Sequence, residues 1–66
     1  MNYLMADTAT GVWEVETLEV EDCEVLNQED FLKALRTLKE GETIGAFVDA
    51  EFYIKIDAEY GVQFLQ

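Results

Sequence analysis

Hydrophobic and polar positions alternate along the first third of the chain. A short apolar run at residues 2–6 is followed by the turn-rich sequence DTATG at residues 7–11 and by alternation over residues 12–21. Alternation is typical of half-buried strands, and a turn cluster between two such runs predicts an N-terminal β-hairpin. The alternation changes phase between Thr17 and Leu18, so we expect a β-bulge there that keeps the apolar side chains on one face.

The pattern then changes to helical spacing, which predicts a helix over residues 28–39. Asn27 and Asp30 stand three positions apart, as in a capping box, and Leu26 can form a hydrophobic staple with Phe31. Gly41 is placed to end the helix. The apolar stripe consists of Phe31, Ala34, Leu35 and Leu38, with Leu32 beside it.

Period-two alternation returns from Ile44 onward and predicts an antiparallel meander after the helix. The chain also repeats itself, with VDAEFY at residues 48–53 and IDAEYG at residues 56–61, so the first copy could be a turn like the second. Two alternatives stay open, two strands or three, and we favour three. The expected fold class is α+β: one domain over residues 1–66, an antiparallel sheet with one helix on one face, in the order ββαβββ or ββαββ.

Composition indicates a compact cytoplasmic protein. Half of the 66 residues are hydrophobic, which is enough for a core, although the length is near the lower limit for folding without metals or disulfides. Cys23 is the only cysteine, so it excludes an internal disulfide and suits a reducing compartment. No apolar run approaches the roughly 18 residues of a membrane span.

Charge is the most unusual property of the sequence. The net charge is -11, with -7 on residues 1–26, +1 on residues 27–39 and -5 on residues 40–66. The excess therefore belongs to the predicted strands, while the predicted helix is close to neutral. With only four Lys and Arg, direct binding to nucleic acid or to anionic lipid is disfavoured, and a basic protein is the expected partner.

We expect the acidic residues to line the sheet face opposite the helix, at spacings of about 6.8 Å along a strand and 4.8 Å between strands. Tyr53 and Phe47 share this parity and could anchor a partner, or could equally belong to the core. Such a face could also be merely solvated. The predicted partner-binding residues are Glu14, Glu16, Glu19, Glu21, Asp22, Glu24, Asp49, Glu51, Tyr53 and Asp57.

Catalysis is not expected. The chain has no histidine, which removes the commonest general base and metal ligand, and it has no Gly-rich phosphate loop. The acidic segment VETLEVEDCEVL lacks the glycine and the ligand spacing of an EF-hand. We therefore predict no cofactor and no metal site.

In its size, acidity and lack of catalytic motifs, the chain resembles the small anti-defence proteins of bacteriophages, including DNA-mimicking anti-CRISPR and anti-restriction proteins. The resemblance implies an inhibitor, monomeric or dimeric, that occupies the DNA-binding surface of a CRISPR effector or a restriction enzyme. Two alternatives remain: an antitoxin or immunity-like protein that caps a cationic partner without DNA mimicry, and a plain acidic accessory domain.

Overall fold

Five strands and two helices in the described residues form a small α+β fold, which confirms the predicted fold class. The computed structural model describes residues 1–16 and 23–64. The strands are β1 (Asn2–Asp7), β2 (Gly11–Val15), β3 (Glu24–Leu26), β4 (Thr43–Val48) and β5 (Val62–Phe64). The helices are α1 (Gln28–Thr37) and α2 (Ala50–Tyr60), and neither of these described helices is long and apolar enough to cross a membrane.

The five strands form one mixed sheet in the order β3-β4-β1-β2-β5. The central strand β1 is antiparallel to both β2 and β4, whereas β3 is parallel to β4 and β5 is parallel to β2. Four strands therefore run in one direction, with β1 opposed. The predicted wholly antiparallel sheet is wrong, because α1 and α2 each carry the chain back to begin another parallel strand, as crossover helices do.

The predicted N-terminal hairpin is confirmed by the pairing of β1 with β2. Its turn is closed by Asp7, whose Oδ1 accepts a hydrogen bond from the backbone N–H of Thr10 at 2.6 Å. Gly11 has a φ of +89°, in the left-handed region that favours glycine, so the sequence DTATG supplies the backbone geometry that the turn needs. The bulge predicted at Thr17 and Leu18 lies outside the described residues.

Helix α1 is confirmed, and it begins at the predicted cap. The side chain of Asn27 accepts from the backbone N–H of Asp30 at 2.8 Å, and its Nδ2 donates to the Asp30 carboxylate at 3.1 Å. The helix ends at Thr37, two residues before the predicted end. Gly41, with a φ of +89°, lies in the turn that follows and does not terminate the helix. Phe31 is fully buried, and the rest of the predicted stripe packs against the core.

Helix α2 replaces the strands predicted over residues 50–60, and this part of the prediction is wrong. Asp49 caps the helix, since its Oδ1 accepts from the backbone N–H of Phe52 at 2.8 Å. Ile56 is fully buried and Phe52 is half-buried against the core. A spacing of four places two residues on one side of a strand and also on one side of a helix, so the alternation did not distinguish the two structures.

Gly61 ends helix α2 with a φ of +78°, and its N–H donates to the backbone carbonyl of Asp57 at 2.9 Å. The Asp57 carboxylate accepts from the N–H of Val62 at 2.8 Å and connects the helix to β5. The two copies of the sequence repeat therefore place an aspartate at each end of one helix. Neither copy is a turn between strands.

Both helices pack on the same face of the sheet, where the core lies. Glu14 shares this face, because its cross-strand partner in β1 is Leu4. Alternate residues point to opposite faces of a strand, so the remaining positions form a second face away from the helices. The fully or nearly fully buried core consists of Leu4, Ala6, Val12, Phe31, Ile44, Ala46, Val48 and Ile56.

Candidate protein-binding surfaces

The sheet face opposite the helices is apolar and rich in aromatic residues. Cross-strand pairing joins Tyr3 with Val15 and with Phe47, and Met5 with Trp13, so these side chains share one face. Val25 joins them because it lies beside Gly45 in the parallel pair of β3 and β4. We call this surface the aromatic face; it consists of Tyr3, Met5, Trp13, Val15, Val25 and Phe47.

Tyr3 is the centre of the aromatic face. Its ring lies 4.8 Å from that of Phe47, centroid to centroid and tilted by 54°, and it packs over Gly45, where a Cβ would collide with the tyrosine hydroxyl. The hydroxyl forms a hydrogen bond of 3.3 Å with the Cys23 Sγ. Burial, followed by the hydrogen bond to Cys23 and the charge of its thiolate, raises the pKa of Tyr3 to about 12.

The predicted lattice of carboxylates on this face is wrong for the described residues. Glu14 points to the helix side of β2, and its neighbours Trp13 and Val15 take the opposite face. Asp49 and Glu51 lie at the start of helix α2 and are not on a strand. The prediction failed because it assumed that residues 50–60 continued the sheet and that Trp13 and Val15, rather than Glu14, faced the helix.

Glu14 forms a half-buried hydrogen-bonded cluster with Asn2 and Tyr53. Its Oε1 accepts from the Tyr53 hydroxyl at 2.8 Å, and its Oε2 accepts from the Asn2 side chain at 3.0 Å. Burial raises the pKa of Tyr53 to about 12, and the hydrogen bond to Glu14 and the negative charges of Glu14 and Asp57 add to the shift. Two of the predicted residues, Glu14 and Tyr53, are therefore in direct contact, 39 positions apart in sequence.

Acidic side chains collect along the sheet edge where β2, β3 and β4 end and β1 begins. Glu14 bonds to Asn2, and Asn2 pairs with Val48, the residue before Asp49. The backbone N–H of Asp49 in turn donates to the Gln28 side chain at 3.4 Å, which places the starts of α1 and α2 side by side. We call this surface the acidic edge; it consists of Glu14, Glu16, Glu29, Asp49 and Glu51.

Helix geometry accounts for part of the acidic edge. Two parallel strands, β3 and β4, each lead into a helix, so the positive ends of α1 and α2 lie at the same edge. Glu29 and Glu51 occupy the first turns of these helices, and Asp49 caps α2. Carboxylates stabilise helix N-termini by about 0.3–1 kcal/mol each at exposed positions. Glu16 follows the end of β2, at no helix terminus, and this explanation does not cover it.

The other predicted residues lie elsewhere. Glu24 begins β3 and lines a groove beside α1 with Lys33 and Lys39. Asp57 lies eight residues beyond Asp49, about 12 Å further along α2 at 1.5 Å per residue. Glu19, Glu21 and Asp22 are outside the described residues.

Basic side chains are few and lie mainly away from the acidic edge. Among residues 1–16 and 23–64, one ion pair is present, a 3.8 Å contact between exposed Arg36 and Glu59. Lys55 borders the acidic edge, and its Nζ lies 5.5 Å from the centroid of the Phe52 ring. The five carboxylates of the edge are thus incompletely neutralised within the described part of the chain.

The sequence pattern placed Phe47 opposite the helix but did not predict its apolar neighbours there, although a signal for them exists. Residues 3–6 are four consecutive buried positions in β1. A strand that is apolar at successive positions is covered on both faces, whereas a strand with one solvated face alternates. The run YLMA therefore indicated that the second face of the sheet was not simply a charged, hydrated surface.

The described part of the chain offers no group of three or more His, Cys, Asp or Glu side chains arranged to hold a metal ion. Its two distinctive surfaces are the acidic edge and the aromatic face, which meet where β1 begins.

Comparisons with protein-family models, with curated proteins and with solved structures find no significant match to this chain.

Proposed function

We propose that this chain is a non-enzymatic inhibitor in the cytoplasm that uses its acidic edge to bind a basic, nucleic-acid-binding surface of another protein. The observation that carries the proposal is the gathering of Glu14, Glu16, Glu29, Asp49 and Glu51 at one edge of the sheet. A CRISPR effector or a restriction enzyme is the kind of target that its acidity and small size suit.

Strand spacing sets the density of negative charge along the edge. Glu16, at the end of β2, and Asp49, after β4, are separated by β1, and neighbouring strands lie about 4.8 Å apart. Glu29 extends the edge to the start of α1, beside β3. The edge thus spans about 15 Å with five carboxylates. A DNA duplex presents one charge per 1.7 Å or so of its axis. The five carboxylates of the edge can therefore take the place of a short run of phosphates along one groove.

Matched variants test whether the position of the charge matters. Glu16, Glu29 and Glu51 are exposed carboxylates of the edge, and their triple replacement by glutamine changes the net charge by three. A control variant replaces Glu24, Glu40 and Glu59, which are also exposed, and changes the charge equally. Partners are captured from a bacterial lysate on the immobilised wild-type protein, and the affinity of the captured partner is measured for all three proteins.

We expect the edge variant to lose at least about tenfold in affinity and the control variant to lose much less, with association that slows steeply as salt is added. A duplex oligonucleotide should displace the partner. Failure of the duplex to compete would leave the capping alternative, in which the partner is cationic but DNA is not imitated. Equal affinities for the edge and control variants, or an association rate that is independent of salt, would contradict the proposal.

A further inference from the structure

We infer that the aromatic face is the apolar half of the same interface, and that it receives a segment of the basic partner in which arginine or lysine stands beside apolar side chains. This inference rests on the proposed function, because it assigns the partner that binds the acidic edge. It adds a second, uncharged source of affinity and states the chemistry of the segment that is bound.

Exposure of large apolar side chains is the first observation. Phe47 is 41 % exposed and Val25 is 46 % exposed, and both lie on the aromatic face. The Tyr3 ring packs against the Phe47 ring, and Tyr3 itself is only 5 % exposed. A half-exposed aromatic ring held by a buried neighbour is typical of the anchors on which binding surfaces centre.

Continuity with the acidic edge is the second observation. A recess of about 270 Å³ opens where the two surfaces meet, and Phe47 and Val15 from the aromatic face line it together with Glu14 and Glu16. An arginine or lysine side chain combines an apolar stem with a charged head. Such a side chain can lay its stem against the Phe47 ring while its head meets the carboxylates, and flanking apolar residues cover the rest of the face.

The negative charge of the chain favours a basic partner over a second copy of the chain on the aromatic face. A second copy of this chain would bring two charges of -11 together, and the mutual repulsion opposes self-association through a face that borders the acidic edge. The six residues of the aromatic face include no base, and Asp7, which ends β1, points to the same face because its alternate neighbours Tyr3 and Met5 do. A basic partner is attracted by the same charges that repel a second copy.

Defined peptides test the inference without an identified partner. One blocked five-residue peptide alternates leucine and arginine, and a second of the same charge alternates glycine and arginine. Each is titrated into the isotopically labelled protein, and the backbone amide resonances are followed by nuclear magnetic resonance. We expect the leucine–arginine peptide to bind at least about fivefold more tightly and to shift resonances of Val15, Val25 and Phe47.

The substitution Phe47→Ala should weaken the leucine–arginine peptide at least about fivefold and leave the glycine–arginine peptide unchanged. Phe64→Ala is the matched control, because Phe64 is 73 % exposed but pairs with Glu14 and so lies on the helix side of the sheet. It should change neither affinity. The resonance shifts of the wild-type protein provide a readout that does not depend on how well either variant folds.

The outcomes separate this inference from the proposed function. Equal affinities for the two peptides, with no shifts on the aromatic face, would overturn the inference while leaving electrostatic binding at the acidic edge intact. If the triple glutamine variant of the edge bound the glycine–arginine peptide as tightly as the wild type does, the proposed function would be contradicted. A concentration-dependent dimer that buries Phe47 would show that a second copy occupies the face.

Discussion

The two faces of the sheet differ in how they are covered. On the helix side, eight side chains form a continuous core, and the largest of them, Phe31, Leu4, Ile56 and Val48, are completely inaccessible to solvent. On the other side, the largest side chains are aromatic, and exposure ranges from 5 % at Tyr3 to 41 % at Phe47. The helix side contains the completely buried core, with Phe64 exposed on the edge strand β5, whereas the other face has no comparable core among the described residues and combines buried with partly exposed apolar residues.

The difference agrees with the proposed interface, in which the helix side would provide stability and the aromatic face would provide recognition. Complete burial yields the full hydrophobic stabilisation of each side chain, and the helix side has most of it. A face that leaves rings half-exposed gives up part of that stabilisation in the isolated protein. Those rings remain available to contribute when a partner covers them. The following substitutions examine each side of this comparison.

Phe31→Ala should have the largest effect on stability. The ring is fully buried among both helices and the sheet, and truncation of a buried phenylalanine typically costs 3–5 kcal/mol, about the whole stability of a 66-residue domain at the lower end of the usual range. Urea titration followed by circular dichroism gives the free energy of unfolding. Phe64→Ala is the control, and its exposed ring should contribute no more than about 0.5 kcal/mol. Both rings lie on the helix side, so similar losses in the two variants would mean that burial does not determine what a ring contributes to stability there.

Gly45→Ala should destabilise the protein through the aromatic face. The added methyl group would collide with the Tyr3 hydroxyl and ring and would crowd the Cys23 Sγ, so the Tyr3 side chain would have to move and its hydrogen bond with Cys23 would be disturbed. Forced repacking of this kind costs roughly 1–3 kcal/mol. A double-mutant cycle checks the cause: with Tyr3→Leu as background, the cost of Gly45→Ala should fall by at least half. An unchanged cost would mean that the strain arises elsewhere in β4.

Local sequence signals predicted an element correctly where the pattern fits only one type of secondary structure. Helix α1 combines a side-chain cap at Asn27 with an apolar stripe of helical period, and both agree with the structure. Helix α2 has the same kind of cap at Asp49, but its core-facing positions, half-buried Phe52 and buried Ile56, also fit a strand. The cap was a signal that the sequence prediction did not use, and the alternation on which it relied was ambiguous.

Some residues of the candidate site could be predicted from the sequence, but their location in the fold could not. Glu14, Glu16, Asp49 and Glu51 were predicted to lie on the sheet face opposite the helix, whereas the first two line a recess at the end of β2 and the other two lie at the start of α2, along the acidic edge. Their common location depends on two helices that begin at the same edge, which no local pattern encodes. The contact between Glu14 and Tyr53 likewise needs the tertiary fold, because the two residues are brought together by β2 and α2.

The hydroxyls of buried Tyr3 and half-buried Tyr53 allow the two faces to be compared by how stability changes at alkaline pH, and their effects at neutral pH are the smallest expected here. Tyr53 lies on the helix side and Tyr3 on the aromatic face, and the pKa of each is raised to about 12 from the ordinary value of 10.0. A raised pKa means that the unfolded chain loses the phenolic proton first. The stabilisation is therefore complete below pH 10 and is lost as the pH rises through about 12.

Replacing each tyrosine by phenylalanine separates the two contributions. At neutral pH, Tyr53→Phe should cost about 1 kcal/mol, because Glu14 loses one of its two hydrogen-bond donors, and Tyr3→Phe should cost less, because thiols form weak hydrogen bonds. Between about pH 10 and 12, each variant should lose stability less steeply than the wild type, since one group that ionises on unfolding is gone. Free energies of unfolding measured in urea across this range, with tyrosinate absorbance as the check on ionisation, test the expectation. If only Tyr53→Phe flattened the pH dependence, the Tyr3 hydroxyl would be open to solvent, and the aromatic face would be less closely packed than its geometry indicates.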